Sequence, residues 1–329
     1  MIVLVTGGAG YIGSHTARAL RRAGYEVVVY DNLSTGHRCL TEGFEFIEGD
    51  VADVARLAPV LARADAVMHF AAHTDVRESV THAREYFANN AGGGLTLLNA
   101  VLDAGIEWFV FSSSCAVYGV PGRVPISEEE PRQPVNPYGA SKLFVEHALE
   151  AYEHAYELRS ARLRYFNAAG ADESGEAGEL HDPETHLIPL ALAATMADAP
   201  PLEVYGNDYP TADGTCIRDY IHVNDLADAH LRALQYLEAG GKSVSLNLGT
   251  GQGHSVLEVI AAVERITGRP VRRTLAPRRA GDPPELVADP ARAQKLWQWK
   301  PTRSLEDVVA SAWAWMQKSH KLATPTCSS

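Results

Sequence analysis

The sequence predicts an α/β fold, a doubly wound parallel sheet followed by a smaller, partly interleaved C-terminal α/β lobe. Three observations carry that reading. Short β-branched runs alternate with helical patterns through the first half, as in parallel sheets whose crossovers are helices. The first of these runs passes directly into a glycine-rich turn, G-G-A-G-Y-I-G, and then into a helical pattern. After Asn167 the alternation weakens into a Gly- and acid-rich loop and shorter elements.

Taken in order, I-V-L-V-T (2–6), E-V-V-V-Y (26–30), F-E-F-I-E (44–48), A-V-M-H-F (66–70) and W-F-V-F-S (108–112) read as strands. R-L-R-Y-F (162–166) makes a sixth. Near-continuous apolar strands are expected where helices cover both faces of a sheet. Helices are predicted over 11–23, 53–63, 84–104 and 138–157. The loop 170–184 leads to a helix at 186–197 and then to the turn-rich stretch G-N-D-Y-P-T-A-D-G-T (206–215). A helix at 224–238 and the strand V-S-L-N-L (244–248) are expected to return to the first sheet. Further helices are predicted over 255–267, 290–297 and 304–317. Residues 1–167, rejoined by 220–250, are thus expected to form one domain and 168–318 a second lobe, with 319–329 a disordered tail.

Composition narrows the class. A chain of 329 residues, 46% of them apolar, is long enough for a large core in one big domain or two intimate ones. Its formal charge of −12 argues against broad nucleic-acid binding, which relies on Lys and Arg to neutralise phosphates. Cys39, Cys115, Cys216 and Cys327 have neither zinc-finger spacing nor the density of a disulfide framework, which predicts a reducing compartment. The run M-I-V-L-V-T is too short for a signal-peptide core, and no stretch approaches a membrane span. A cytoplasmic protein is expected.

The glycine turn points to a cofactor. Gly8, Gly10 and Gly13 match G-x-G-x-x-G, and Gly7, Gly10 and Gly13 are equally spaced by threes. Glycines permit a tight turn and close backbone approach, while the helix start offers unpaired N–H groups and a positive dipole to a pyrophosphate. Asp31 ends the second strand eighteen residues past Gly13, where a ribose-binding carboxylate belongs in a Rossmann-like sheet. Its charge favours NAD over NADP, with His37 and Arg38 read as a solvated loop. Asp50 ends the third strand and is expected either at the adenine or as the cap of the helix near 53.

The reactive crevice of an open α/β sheet lies beyond the carboxyl ends of its strands. Strand five ends there in Ser112, Ser113 and Ser114. N-P-Y-G-A-S-K then places Tyr138 and Lys142 one helical turn apart, on one face. In isolation these would read as a core Tyr, an exposed Lys and a loop-capping Ser. Beside a dinucleotide they read as a phenol for proton transfer, an ammonium that lowers its pKa, and a hydroxyl that holds the reacting oxygen.

Glycine fingerprint, Ser, Y-x-x-x-K and a C-terminal lobe together resemble the extended short-chain dehydrogenase/reductase family. V-T-G-G-A-G-Y-I-G-S-H-T, Y-D-N-L-S-T-G, F-S-S-S-C-A-V-Y-G, L-R-Y-F-N-A-A-G, Y-G-N-D-Y-P-T-A-D-G-T-C-I-R-D-Y-I-H-V-N-D-L-A and A-P-R-R-A-G-D narrow the resemblance to its NAD-dependent UDP-hexose 4-epimerase branch. It implies reversible inversion at C4 of a UDP-hexose (UDP-galactose/UDP-glucose) through a transient 4-keto intermediate and enzyme-bound NAD. Ser114, Tyr138 and Lys142 would be catalytic. Gly7, Gly10, Tyr11, Ile12, Gly13, Asp31, Asn32, Ser34, Thr35, Gly36, Asp50, Val51, Phe70, Ala71, Ala72, Asn89, Ser112 and Phe166 would join Tyr138 and Lys142 around NAD. Asn167, Leu187, Tyr205, Arg218, Arg279 and Asp282, with Ser114 and Tyr138, would hold the UDP-sugar. A homodimer through the helices near 84–104 and 138–157 is likewise implied.

The sequence departs from the branch in the loop A-A-H-T-D-V-R-E-S, so contacts from Thr74 to Ser79 are left unassigned. Leu286 matches a position whose bulk governs N-acetyl sugars, which keeps UDP-GalNAc/GlcNAc open, as the shared machinery keeps UDP-xylose/UDP-arabinose and UDP-uronates. A sugar-nucleotide 4,6-dehydratase would carry an acid pair where Cys115-Ala116 stand. A non-catalytic NAD sensor would have no reason to keep Ser114, Tyr138 and Lys142 together. H-D-P-E-T-H (181–186) holds metal-capable side chains without a recognised spacing, so no metal is expected.

Overall fold

Alternation along the strands decides which layer each side chain joins. In β1 (Ile2–Thr6), Val3 and Val5 pack on one face of the sheet and Leu4 on the other. A computed structural model of the chain describes residues 1–279 and 281–322. After β1 come α1 (Tyr11–Arg22), β2 (Glu26–Asp31), β3 (Glu45–Glu48), α2 (Val54–Leu61) and β4 (Ala66–His69). Then follow α3 (Val76–Thr81), α4 (Ala83–Tyr86), a π-helical turn (Phe87–Gly93), α5 (Gly94–Asp103), β5 (Trp108–Ser114), α6 (Pro137–Tyr156) and β6 (Arg159–Tyr165). The remaining chain forms β7 (Asn167–Ala169), α7 (Leu187–Ala193), β8 (Leu202–Tyr205), β9 (Ile217–Arg218), β10 (Tyr220–His222), α8 (Val223–Glu238) and β11 (Val244–Leu248). It ends with β12 (His254–Ser255), α9 (Val256–Thr267), β13 (Arg273–Ala276), β14 (Glu285–Leu286), α10 (Ala291–Trp297) and α11 (Leu305–Leu322).

Seven parallel strands form the main sheet in the order β11-β6-β5-β4-β1-β2-β3. Leu20 of α1 and Leu226, Leu234 and Leu237 of α8 cover one face; Leu57, Leu97, Val101, Val145 and Leu149 from α2, α5 and α6 cover the other. Strand order reverses between β1 and β4, and that reversal opens a crevice at their carboxyl ends. β11 pairs with β6 from Val244↔Ala161 to Leu248↔Tyr165, so the late strand does rejoin the first sheet. A separate core of Ile188, Leu192, Val204, Val259, Ile260 and Val308 supports α7, α9 and α11. Among the described residues no helix is long and apolar enough to cross a membrane.

Two expectations need correction. The single helix over 84–104 is instead α4, a π turn and α5, preceded by the unforeseen α3. The interrupting A-N-N-A-G-G-G is poor in helix formers, and Asn90 spends its side chain on the backbone N and O of His73 (2.8 and 3.0 Å). The tail expected to be disordered from 319 is helical through Leu322, because α11 packs its apolar side on the second core. The rest of that tail lies outside the described residues.

Buried histidines set the acid response of this fold. Burial pushes the pKa of His15, His222 and His230 down to about 4, and burial with the Lys142 charge pushes His69 to about 3. The unfolded chain titrates near about 6.5, so below that pH it binds protons that the folded chain refuses. The stability these residues carry is complete above about pH 6.5 and is lost as pH falls through the folded values, by ~1.4 kcal/mol per pH unit for each. Urea midpoints should therefore drop steeply from about pH 6.5 to 5. His69→Gln should flatten that slope; an unchanged slope would refute the assignment.

Candidate active site

The cradle at the β1/β4 crevice is built from close backbone approaches. Gly7 has φ +74°, and a Cβ there would lie 2.3 Å from Ala71 N. A Cβ at Gly13 would lie 2.2 Å from Gly7 O, so α1 sits directly on the turn only because both are glycine. Gly10 caps α1 without a side-chain hydrogen bond, which leaves the helix start open to an anion. Asp31, 7% exposed, accepts hydrogen bonds from Ala9 N (3.0 Å) and Leu33 N (2.8 Å). Burial raises its pKa and those two N–H groups oppose the rise. An open helix start beside a buried carboxylate at the end of the next strand fits a pyrophosphate and a ribose.

Around this cradle Asn32 Nδ2 donates to Asp50 Oδ2 (2.8 Å), and Asn32 Oδ1 accepts from Ser34 N (3.0 Å). Thr35 is exposed, and Gly36 packs closely on Asp31 and Ala9. Asp53 rather than Asp50 caps α2, through Arg56 N at 3.2 Å, which leaves Asp50 at the crevice side of β3. Val51 is core. Phe70 is half-buried with its ring 4.8 Å from that of His230, and Ala72 follows Ala71 out of β4. Ile12 packs on the sheet core, while the Tyr11 hydroxyl donates to Gly170 O (2.5 Å) and so reaches the second lobe. Asn89, in the π turn, donates to Asn90 Oδ1 (2.9 Å).

The catalytic candidates come together at the carboxyl end of β5. Asn136 caps α6 through Gly139 N (2.8 Å), with Pro137 in the first turn. A Cβ on Gly139 would lie 2.4 Å from Ala116 O, so this glycine lets α6 close on the loop after Ser114. Ser114 Oγ accepts from Ala116 N (3.1 Å), and the Ser114 hydroxyl also acts to lower the pKa of the Tyr138 phenol. Lys142, 3% exposed, donates from Nζ to Ser112 O (2.8 Å), with Nζ 5.8 Å from the Tyr138 ring centroid. Burial pushes the Tyr138 phenol up to about 12, against the pull of the Ser114 hydroxyl, and pushes Lys142 down to about 7. The expected lowering of the phenol is therefore not produced by the chain alone, because desolvation disfavours both charged forms.

The remaining substrate candidates lie at and beyond the end of the first domain. Arg218 is buried and donates to Ile217 O (2.7 Å) and to Asp282. Arg279 stacks 3.8 Å above the Tyr205 ring centroid. Asn167 Nδ2 donates to Asp219 O (3.1 Å), and Leu187 opens α7. Phe166 packs with Val117, Tyr118, Leu143, Cys115 and Leu286, so it joins the β5 loop to β14 from the core.

Several neighbours escaped the sequence reading. Tyr165 bonds through its hydroxyl to Ser112 Oγ, and Asn90 Nδ2 donates to Ser141 Oγ (3.1 Å). Glu146 accepts from Ser113 Oγ (2.5 Å) and from Arg164 Nε (2.8 Å) and Nη2 (2.6 Å). Its signal was present: Glu146 follows Lys142 by four, on the face that carries Tyr138.

A buried amine and phenol beside this dinucleotide cradle place the chain among the short-chain dehydrogenase/reductase enzymes. Residues 3–249 match the NAD dependent epimerase/dehydratase family. The chain belongs to that family, and its cofactor is NAD. It is 51% identical over 321 residues to a UDP-glucose 4-epimerase of Rhizobium leguminosarum bv. trifolii, covering 97% of this chain and 98% of that one. The crystal structure of UDP-glucose 4-epimerase from Brucella ovis in complex with NAD superposes with a TM-score of 0.93 at 51% identity, covering 95% and 97% of the two chains. The enzyme from Stenotrophomonas maltophila, with bound NAD and formylated UDP-arabinopyranose, gives a TM-score of 0.94 at 42% identity, covering 98% and 99%.

Proposed function

We propose that this chain catalyses reversible C4 epimerisation of UDP-galactose and UDP-glucose. The observation that carries the reading is the Ser114–Tyr138–Lys142 set at the end of β5, in a chain so similar to UDP-glucose 4-epimerases. NAD, when bound, supplies the hydride acceptor and donor for C4 and a positive ring beside the phenol. Tyr138 takes the proton from the substrate's 4-hydroxyl and returns it after the 4-keto sugar has presented its other face. Ser114 holds that oxygen, and Lys142 holds the nicotinamide ribose. Arg218 and Arg279 suit the diphosphate, and Asp282 the uridine ribose. The division of labour we propose is NAD on 1–167 with 220–250, and UDP-sugar on 168–318.

Leu286 favours a second substrate class. It is half-buried in β14, in register with Arg218 and packed on the Phe166 cluster, and its side chain is smaller than the Tyr that would exclude an N-acetyl group. We also propose a cytoplasmic homodimer: Val76, Val80, Phe87, Phe144 and Tyr156 expose apolar surface on α3, the π turn and α6. Incubation with UDP-galactose, UDP-GalNAc, UDP-xylose and UDP-uronates, with NAD and no added metal, followed by NMR, tests the activity. Inversion of UDP-galactose is expected, and no inversion of any substrate would sink the proposal. Light scattering on the same preparation should give the mass of two chains; a monomer would reject the dimer.

A further inference from the structure

The loop between β7 and α7 gathers four metal-capable side chains that the proposed reaction does not use. Glu179, His181, Glu184 and His186 each offer one ligand atom, and these atoms all lie within 4.8 Å of one another. Glu179 Oε1 stands 3.0 Å from His181 Nδ1 and 2.8 Å from His186 Nδ1. Glu184 Oε1 stands 3.0 Å from His186 Nδ1, and its Oε2 lies 3.8 Å from His181 Nδ1. Ligands at about 2.1 Å around a tetrahedral cation stand roughly 3.4 Å apart, so small side-chain adjustments turn this cluster into a coordination shell.

The surroundings are those of a held site. Trp315 Nε1 donates to Glu179 O (3.0 Å), and His37 Nε2 donates to Leu180 O (3.0 Å). The Tyr11 ring meets His181 edge-on at 6.3 Å. The Glu179 side chain is only 7% exposed, whereas that of His186 is half exposed and gives a cation a way in. Without a metal, both rings, their centroids 5.0 Å apart, turn to one carboxylate oxygen. A dication would take the place of these shared contacts and bond to all four groups.

We propose that Glu179, His181, Glu184 and His186 bind a divalent transition-metal ion of the zinc class. Two imidazoles and two carboxylates suit zinc, while magnesium and calcium prefer oxygen-only shells. The site is structural: it clamps the segment leading into Leu187 and α7 against Tyr11 at the start of α1 and against Trp315 of α11. This replaces the expectation that H-D-P-E-T-H binds no metal.

The test uses the full chain with its NAD, treated with chelator, desalted and titrated with zinc chloride. Calorimetry should show stoichiometric binding of micromolar strength or tighter, and zinc should raise the thermal midpoint. Cobalt in place of zinc should give the visible absorption bands of a tetrahedral site. His186→Gln, at a half-exposed position where folding is safe, should weaken zinc binding by at least about tenfold, and His181→Ala with it should abolish binding. Absence of zinc binding and of cobalt bands in the unaltered protein would overturn the proposal. So would a His186→Gln chain that binds zinc as tightly as the original.

Discussion

Tyr138→Phe is expected to lower kcat for C4 inversion by about 10²–10⁴-fold, the range a positioned acid–base group contributes. NAD content should stay unchanged, because the substitution removes one oxygen and keeps the buried ring in place. The size of the effect follows from the surroundings of the phenol. Burial holds it near about 12 in the chain alone, so it works as a base only where positive charge gathers beside it. Lys142 is one source, although burial pushes its own pKa down to about 7, so the chain alone holds that charge weakly. Single-turnover measurement of C4 inversion, with NAD content measured in parallel, separates chemistry from cofactor loss. Turnover within a few-fold of the original would transfer the proton to another group and end the assignment.

Glu146→Ala should destabilise the fold by about 3–5 kcal/mol, the cost of leaving a buried charge without its partner. Glu146 is fully buried and Arg164 is 3% exposed. Two hydrogen bonds join them, Ser113 and Arg132 also donate to Glu146, and Arg164 continues to the Tyr118 hydroxyl (2.8 Å). Tyr118 in turn donates to Asn247 Oδ1 (2.7 Å). Burial raises the Glu146 pKa, but Arg164 together with Ser113 and Arg132 more than reverses that and holds the carboxyl below its usual range. The network therefore ties α6 to β5, β6 and β11, immediately behind Ser114 and Lys142. Urea denaturation measures the loss. A change below about 1 kcal/mol would mean that Arg164 finds water or another acceptor, and the network would lose its structural role.

Much of this was legible in local patterns. The strands at 2–6 and 244–248 coincide with β1 and β11 to the residue, since an apolar run between turn residues is a signal within a few positions. N-P-Y-G-A-S-K marked the start of α6 because a helix-starting proline and four-residue spacing are both local. The helix over 84–104 failed for the complementary reason. Asn90 leaves ordinary helical geometry to bond His73, seventeen residues upstream, and no window on the sequence contains that contact. Asp50 read equally well as an adenine contact or as the cap of the helix near 53, and Asp53 takes the cap instead, through Arg56 N.

The sequence by itself determined the seven strands of the main sheet, the glycine cradle, Asp31 at the end of β2 and the Tyr138–Lys142 spacing. All of these depend on short repeats, steric demands at single residues, or turns of one helix. Tertiary structure alone decided that Tyr138 and Lys142 resist ionisation and that Glu146 finds Arg164. It also decided that Asp282 meets Arg218, and that two histidines and two glutamates of one loop converge under Tyr11 and Trp315. Those outcomes come from desolvation and from partners far apart in the chain. A pattern of residue types carries neither until the backbone has closed around them.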